Sequence, residues 1–351
     1  MAGTENAQQS TRRHDWQVIL ATLTVILVLV TAMAGSLAVG AAHIPFREVA
    51  DIVMSRIAPS DMAAYWKPGF EVIVWDLRLP RIVLAALVGA GLGMVGAAMQ
   101  SATRNPLADP YLLGVAAGAI FGANLAILHV GDVFGPATTP LFAFGGALAA
   151  TLIVLSISRV TGSTTADRLI LAGVAVSFVG TACANLLILF ADQRAAANVV
   201  FWALGGFGSA DWSTLPAPAL ALVIGGGWFM LRRRELNALA MGDETAITLG
   251  VAVGRARLLH MTVGAFVTGV LVSVSGMIGF VGLMAPHLVR MVLGGDNRLV
   301  LPASALLGAT FLVLADIASR TLIAPDDLPI GIVTGVVGGL FFVLILRRRP
   351  R

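Results

Sequence analysis

Long apolar runs alternate with short polar segments along almost the whole chain, and the runs are membrane-sized. Apolar stretches at 18–40, 82–99, 112–128, 141–157, 169–190, 217–231, 261–275, 281–293, 301–315 and 330–346 predict ten helices. Several fall short of the roughly 20 residues an upright span needs, so these are expected to be tilted, extended by neighbouring residues, or buried in a bundle. The eighth, interrupted by Pro286, is the weakest by hydropathy. The first exceeds the roughly 15-residue limit of a signal-peptide core. Small residues at 38–42 keep a cleavable signal as its competing reading.

Composition agrees with this pattern. Of 351 residues, 58% are hydrophobic and only 12% charged, against roughly a quarter charged in soluble domains. The expected fold is an all-α polytopic membrane protein. A single ten-helix domain covers 18–346, with a tail at 1–17 and a basic tail at 347–351. Charge placement orients it. With ten spans and an internal N-terminus, the internal segments hold 16 of the 23 Arg and Lys but only 8 of the 19 acidic residues. The positive-inside rule then puts both ends in the cytoplasm. Losing the eighth span would invert Arg298 and the cluster at 347–349. The net charge of +4 thus reflects topology. No basic face interleaved with aromatics points to nucleic acid.

Two polar segments stand out. Asn105-Pro106-Leu107-Ala108-Asp109-Pro110 lies between two apolar stretches. Its prolines cannot continue a helix without losing backbone hydrogen bonds, so a turn of fixed chemistry is expected here. The other is the one sizeable internal loop, 232–260. Within it, 236–241 and 244–249 each have the length of one or two helical turns, separated and ended by Gly242 and Gly250. Glu244 near the start of the second favours that helix's dipole. Two amphipathic helices joined at a glycine make a rigid knob; a hairpin lying flat on lipid is the plainer alternative.

Candidate chemistry is sparse. The only lysine, Lys67, stands between Trp66 and Pro68, whereas a phosphate-binding loop needs Lys after Gly and before Ser or Thr. No soluble segment is large enough for an ATPase domain. Cys183 is the single cysteine, which excludes an internal disulfide or a multi-cysteine cluster; its apolar setting reads as a buried structural thiol. His43, His129, His260 and His287 lack partners at metal-ligand spacing, so no metal site is expected. Glycine pairs four apart, Gly89/Gly93, Gly118/Gly122 and Gly331/Gly335/Gly339, each mark one helix face for close packing.

Nine motifs in order and in register resemble one family. They are Arg78-Leu79-Pro80-Arg81; Met99-Gln100 with the 105–110 turn; the segment 112–119; Leu171-Ala172-Gly173-Val174-Ala175; Trp202 with Gly205-Gly206; the segment 239–250; Gly279-Phe280-Val281-Gly282-Leu283 with Ala285-Pro286-His287-Leu288-Val289-Arg290; Leu314-Ala315-Asp316; and the segment 328–334. From about residue 75 onward the chain resembles the permease subunit of binding-protein-dependent (type II) ABC importers for iron–siderophore, haem and cobalamin. Residues 1–70 match only as a generic first span and outer loop.

The resemblance implies ten helices per subunit in a bacterial inner membrane, a homodimer around a central path, and two separate ATP-binding subunits below. A periplasmic or lipid-anchored binding protein would sit above. The chain itself would bind no cofactor, ATP and magnesium being held by the ATPase subunits. A ferric siderophore is the expected cargo, with haem or cobalamin as alternatives and oxyanions more distant. By the same resemblance Arg78, Arg81 and Arg320 dock the binding protein; they are three of only seven external cations, with membrane-edge snorkelling as the alternative. Leu239, Met241, Gly242, Glu244, Ile247, Leu249 and Gly250 would couple to the ATPase. Asn105 and Leu107 would form a cytoplasmic gate, opposed by Thr164 and Thr165. There the sequence departs from the family by placing Ala166 and Asp167 next. Asn105 also suits capping of its own turn.

Two other classes compete. An ion-coupled transporter needs an ionisable residue inside a span; Asp316 is the one carboxylate near a span, and Arg320 one turn away reads as its helix-end partner. An integral membrane enzyme would need paired carboxylates, a histidine cluster or an activated nucleophile in the spans, and the sequence offers none.

Overall fold

Among the described residues of the computed structural model, which are 2–40, 42, 44–58, 65–160 and 165–347, every regular element is helical. In chain order these are α1 (Ala2–Ala38), α2 (Phe46–Ile57), α3 (Pro68–Glu71), a π-helical segment (Val72–Arg78), α4 (Leu79–Thr103), α5 (Val115–Leu125) with a π-helical continuation (Ala126–Val130), a 3-10 turn (Gly135–Ala137) leading into α6 (Thr138–Val160), α7 (Ala166–Leu189), α8 (Gln193–Ala203), α9 (Pro216–Leu231), α10 (Arg233–Met241), α11 (Asp243–Thr248), α12 (Val253–Ser275), α13 (Val281–Leu293), α14 (Asn297–Thr321) and α15 (Ile330–Arg347). Six helical stretches are long and apolar enough to cross a membrane: Ile19–Ala38, Pro68–Thr103, Gly135–Val160, Ala166–Leu189, Val253–Ser275 and Asn297–Thr321. Four shorter apolar helices, Val115–Val130, Pro216–Leu231, Val281–Leu293 and Ile330–Ile345, fall where the other expected stretches lie.

The largest boundary shifts have local causes. The second stretch begins at Pro68, not at 82, and runs unbroken to Thr103. Pro80 cannot donate to the carbonyl one turn before it. The chain widens into π-helical turns just ahead, where the Leu79 N–H bonds the Val74 carbonyl five residues back. The first helix starts at Ala2, so the segment expected as a tail continues the apolar helix. The loop after α1 also contains an unforeseen helix, α2. Its Val49 and Ile52 pack with Ile44 and Val74 into a small core of their own.

α4 is the axis of the bundle: it packs most extensively on α14 and also contacts α9, α10, α12 and α13. Backbone reaches backbone along this axis. A methyl group at Gly89 would sit 2.2 Å from the Gly308 carbonyl oxygen, and one at Gly308 would sit 2.2 Å from that of Gly89. Gly93 approaches the Ser304 carbonyl equally closely, and Gly96 approaches that of Gly282. In an apolar surround, helices gain little from burial against each other and associate through such tight packing. The Gly118/Gly122 pair does the same for α5 against α6. The third expected group divides: Gly331 lies against the Leu204 carbonyl, while Gly335 and Gly339 face open space.

α13 shows how a proline-interrupted helix is held. Pro286 cannot donate to the Gly282 carbonyl, and the Gln100 amide reaches that oxygen (3.3 Å) and the Leu283 oxygen (3.4 Å) from α4. At its start Phe280 adopts a left-handed conformation (φ 69), costly for an aromatic residue. Its ring fills the space beside Gly338 of α15.

Gly89→Ala and Gly93→Ala should each destabilise the bundle by about 1–3 kcal/mol, whereas Gly69→Ala, which meets open space, should be neutral. Thermal unfolding in detergent reads the difference, and equal melting of all three variants would refute the close α4–α14 approach.

Candidate functional site

At the Pro68 end of the axis the structure gathers the three arginines singled out in the sequence. Asp316 on α14 is fully buried. Its Oδ1 accepts from Arg81 Nε (2.7 Å), and its Oδ2 lies 3.0 Å from Arg320 Nε. Arg81 Nη1 also donates to Asp327, which is half-exposed (2.5 Å). Arg78 donates to the carbonyls of Leu37 (2.6 Å) and Ala42 (2.5 Å), and Arg320 to those of Val39 and Ser36 and to the Ser36 hydroxyl. Two guanidiniums therefore close the C-terminal end of α1, where unpaired carbonyls and the helix dipole favour cations. Gly40 leaves room for this, since a methyl there would sit 2.8 Å from Arg78. Arg78 and Arg320 are buried and turned inward, and only Arg81 reaches the rim through Asp327. The sequence reading treats all three as outward-facing because it cannot see the α1 carbonyls that draw two of them in.

At the opposite end, α4 stops at Arg104 in a left-handed conformation (φ 53), and the proline-punctuated turn follows. Asn105 Oδ1 accepts from the Leu107 N–H (2.9 Å), and Asp109 Oδ1 from the Tyr111 N–H (2.8 Å). Asn105 thus caps its own turn, as the plainer reading has it. Leu107 is left 61% exposed. The far side of the turn is clamped to the α12–α13 connection. The Tyr111 hydroxyl donates to the Ile278 carbonyl (2.9 Å) and accepts from its N–H (3.2 Å), while Pro110 lies against Gly282. Sequence reasoning misses Tyr111, although its place directly after Asp109-Pro110 is a signal. Thr165 opens α7, its carbonyl accepting from the Leu169 N–H (3.2 Å); Thr164 lies outside the described residues.

The expected pair of short helices is present as α10 and α11, joined at Gly242 (φ 114) and ended at Gly250 (φ 80). Met241, Ile247 and Leu249 are 62%, 63% and 61% exposed, and Glu244 is exposed too. Leu239 differs. It is fully buried together with Leu236, so it anchors α10 to the bundle and offers nothing to a partner. In a nine-residue helix packed on α4, the residues one turn apart on one face belong to the core.

Polar contacts tie this segment to the end of α4. Asn237 on α10 accepts from the Asn297 N–H (2.9 Å) and amide (2.8 Å), and Asn297 accepts from the Ser101 hydroxyl (3.0 Å). Asn237 also donates to Asp296 (2.8 Å). The Arg298 N–H and the Asn237 amide hold the Asp296 carboxyl below its usual range. Arg257 on α12 donates to the Ala102 carbonyl (2.9 Å) and to Asp243 (2.6 Å), and the Arg104 guanidinium lies beside Gly242.

An apolar cavity of about 800 Å³ lies among α5, α6 and α7, lined by residues such as Phe121, Leu141, Ile153 and Val179. Cys183 lines it and is exposed, which corrects the expectation of a buried thiol; α7 turns much of its length outward, with Leu171, Val174, Phe178 and Leu186 exposed. Among the described residues no three His, Cys, Asp or Glu side chains come together as a metal site.

Residues 23–348 match the FecCD transport family. This chain belongs to that family. The chain is 38% identical to the hemin transport system permease HmuU of Yersinia pestis, with 93% of this chain and 95% of that protein covered. It is 35% identical to the vitamin B12 import system permease BtuC of Escherichia coli, over 98% of both. A solved metal-chelate type ABC transporter in an inward-facing conformation superposes with a TM-score of 0.78 at 29% identity, covering 93% of this chain and 98% of that one. The chain is therefore an ABC transporter permease and a multi-pass membrane protein.

Asp316→Asn should leave Arg320 buried without a counter-charge and Arg81 with Asp327 alone, and cost about 3–5 kcal/mol. Asp327→Asn, at the half-exposed edge of the same cluster, should cost no more than about 1 kcal/mol. Melting temperatures of the two purified variants test this ordering, and a reversed order would contradict it.

Proposed function

We propose that this permease is the membrane subunit of an ATP-driven importer that passes a large metal chelate from a binding protein into the cytoplasm of a bacterium. Support comes from its similarity over nearly its full length to permeases named for hemin and vitamin B12. Both are large metal chelates, and the iron–siderophore expected from the family's breadth is a third member of that class. The six long and four shorter apolar helices, with the positive-inside charge bias, support ten spans in the inner membrane with both ends cytoplasmic.

The assembly follows from which surfaces are left open. On α15, Ile332, Val336, Leu340 and Val343 are exposed on the face that carries the open Gly335 and Gly339. A second copy of the chain meeting this face and α7 would enclose a central path. The chain carries no phosphate-binding loop of its own, so two separate ATPase subunits supply the energy. They seat on Met241, Ile247 and Leu249. The binding protein docks at the opposite end, where its acidic residues compete with Asp327 for Arg81.

Purified permease reconstituted with its ATPase subunits and binding protein should take up chelate only with ATP, and uptake should survive collapse of the proton gradient. Hemin, cobalamin and a ferric siderophore offered to the binding protein identify the cargo by relative affinity. Uptake that ignores ATP and stops when the gradient is collapsed would establish ion coupling instead.

The gate is proposed at the turn after α4, where exposed Leu107 stands on a backbone held by two prolines and two side-chain caps. Leu107→Cys in both copies should crosslink to different extents with and without ATP, and the crosslink should block uptake. Crosslinking that leaves uptake intact removes Leu107 from the gate.

A further inference from the structure

Three of the contacts between the α10–α11 segment and the rest of the protein converge on one short stretch, the last residues of α4 and Arg104 just after it. Ser101 is reached through Asn297 from Asn237; Ala102 is reached by Arg257, which also holds Asp243; Arg104 lies beside Gly242. The next residue in the chain, Asn105, opens the proposed gate turn. The coupling segment therefore touches the structure immediately before the gate.

We infer that Arg257 and Asp243, supported by Asn237 and Asn297, are positioning residues that transmit the displacement of the coupling helices to the gate turn. The inference rests on the proposal that the segment 236–250 seats the ATPase subunit.

The chemistry suits transmission. Arg257 is buried and belongs to neither moving part: it is rooted in α12 and bridges an α4 carbonyl to the first residue of α11. A buried guanidinium has no water to replace a lost acceptor, so separating Asp243 from the α4 end is costly, and the two tend to move together. The planar guanidinium suits the task because Nε and Nη2 donate in fixed directions to two acceptors at once. A lysine in its place reaches one acceptor at a time. The second link runs through neutral amides. Asn237 accepts both Asn297 donors on one oxygen, and Asn297 passes the constraint to Ser101. Arg290 of α13 closes on the same point, donating to the Ser101 hydroxyl (2.8 Å) and the Ala97 carbonyl (3.2 Å). The end of α4 is thereby clasped from α12, α13 and α14, and through Arg257 and Asn297 from α11 and α10.

The test uses the full transporter, permease with ATPase subunits and binding protein, in proteoliposomes, and reads chelate taken up per ATP hydrolysed. Asp243→Ala and Arg257→Lys should each lower that ratio about tenfold, the scale of a coupling free energy between sites. The double variant should be no worse than either single one. Asp243→Glu should restore the ratio, which a role limited to folding of the loop does not require. Because Asp243 is half-exposed, Asp243→Asn keeps the hydrogen-bond acceptor and serves if the alanine variant fails to assemble, with a smaller loss in the same direction. A wild-type ratio in an assembled Asp243→Ala or Asp243→Asn transporter, or additive losses in the double variant, overturns the linkage. Ile247→Asp separates the two proposals. Loss of ATPase capture in this variant with normal coupling in Asp243→Ala defeats the linkage alone, whereas undiminished capture by Ile247→Asp defeats the seating of the ATPase on this segment and the linkage with it.

Discussion

The close approach of α4 to its neighbours is the constraint on which the rest of the molecule depends. Gly89, Gly93 and Gly96 bring the α4 backbone against carbonyls of α13 and α14. Side chains larger than hydrogen at these places would push the partners outward. That separation would also draw Gln100 away from the Gly282 carbonyl and Arg81 away from Asp316. In an apolar surround, an unpaired carbonyl or charge has no water to turn to. Helix spacing set by three hydrogen atoms thus decides whether the buried polar groups are satisfied.

The polar groups on α4 lie mainly at its two ends, and the ends are built differently. Toward Pro68 the cluster is nearly closed. Arg78 and Arg320 are taken up by carbonyls at and just after the end of α1, Asp316 is shared by Arg81 and Arg320, and among the described residues the Asp327 edge is open. Toward Thr103 the network leads outward, from Ser101 through Asn297 and Asn237 to Asp296, and from Ala102 through Arg257 to half-exposed Asp243. One end holds the helix in place, and the other connects it to the surface.

Much of this was legible in the sequence. Apolar periodicity located the helices because membrane-sized runs leave little ambiguity. The glycine break at Gly242 and the turn at 105–110 were readable because glycine and proline restrict backbone in known ways. Properties that depend on what lies across the bundle were not readable. The inward turn of Arg78 is decided by carbonyls 41 and 36 residues away in sequence, and the burial of Leu239 and exposure of Cys183 by how whole helices pack. The start of the second helix at Pro68 was hidden by Asp76, Arg78, Pro80 and Arg81, which read as a boundary until π-helical turns accommodate the proline. Tyr111 was overlooked because its partner, the Ile278 backbone, has no side-chain signature.

The same contrast explains why the family's motifs are polar or glycine-rich in a chain that is otherwise oily. A lipid-facing position tolerates any apolar residue of suitable size, so it carries little information. A position where backbone meets backbone accepts only glycine, and a position that must satisfy a freed carbonyl accepts only a donor of the right length. Gln100 beside Pro286 is such a pair: the proline removes a hydrogen bond from α13, and the glutamine on α4 replaces it from outside. These two motif residues, far apart in sequence, are two halves of one contact. Without Gln100 the Gly282 carbonyl that Pro286 cannot serve would lose this donor inside the bundle.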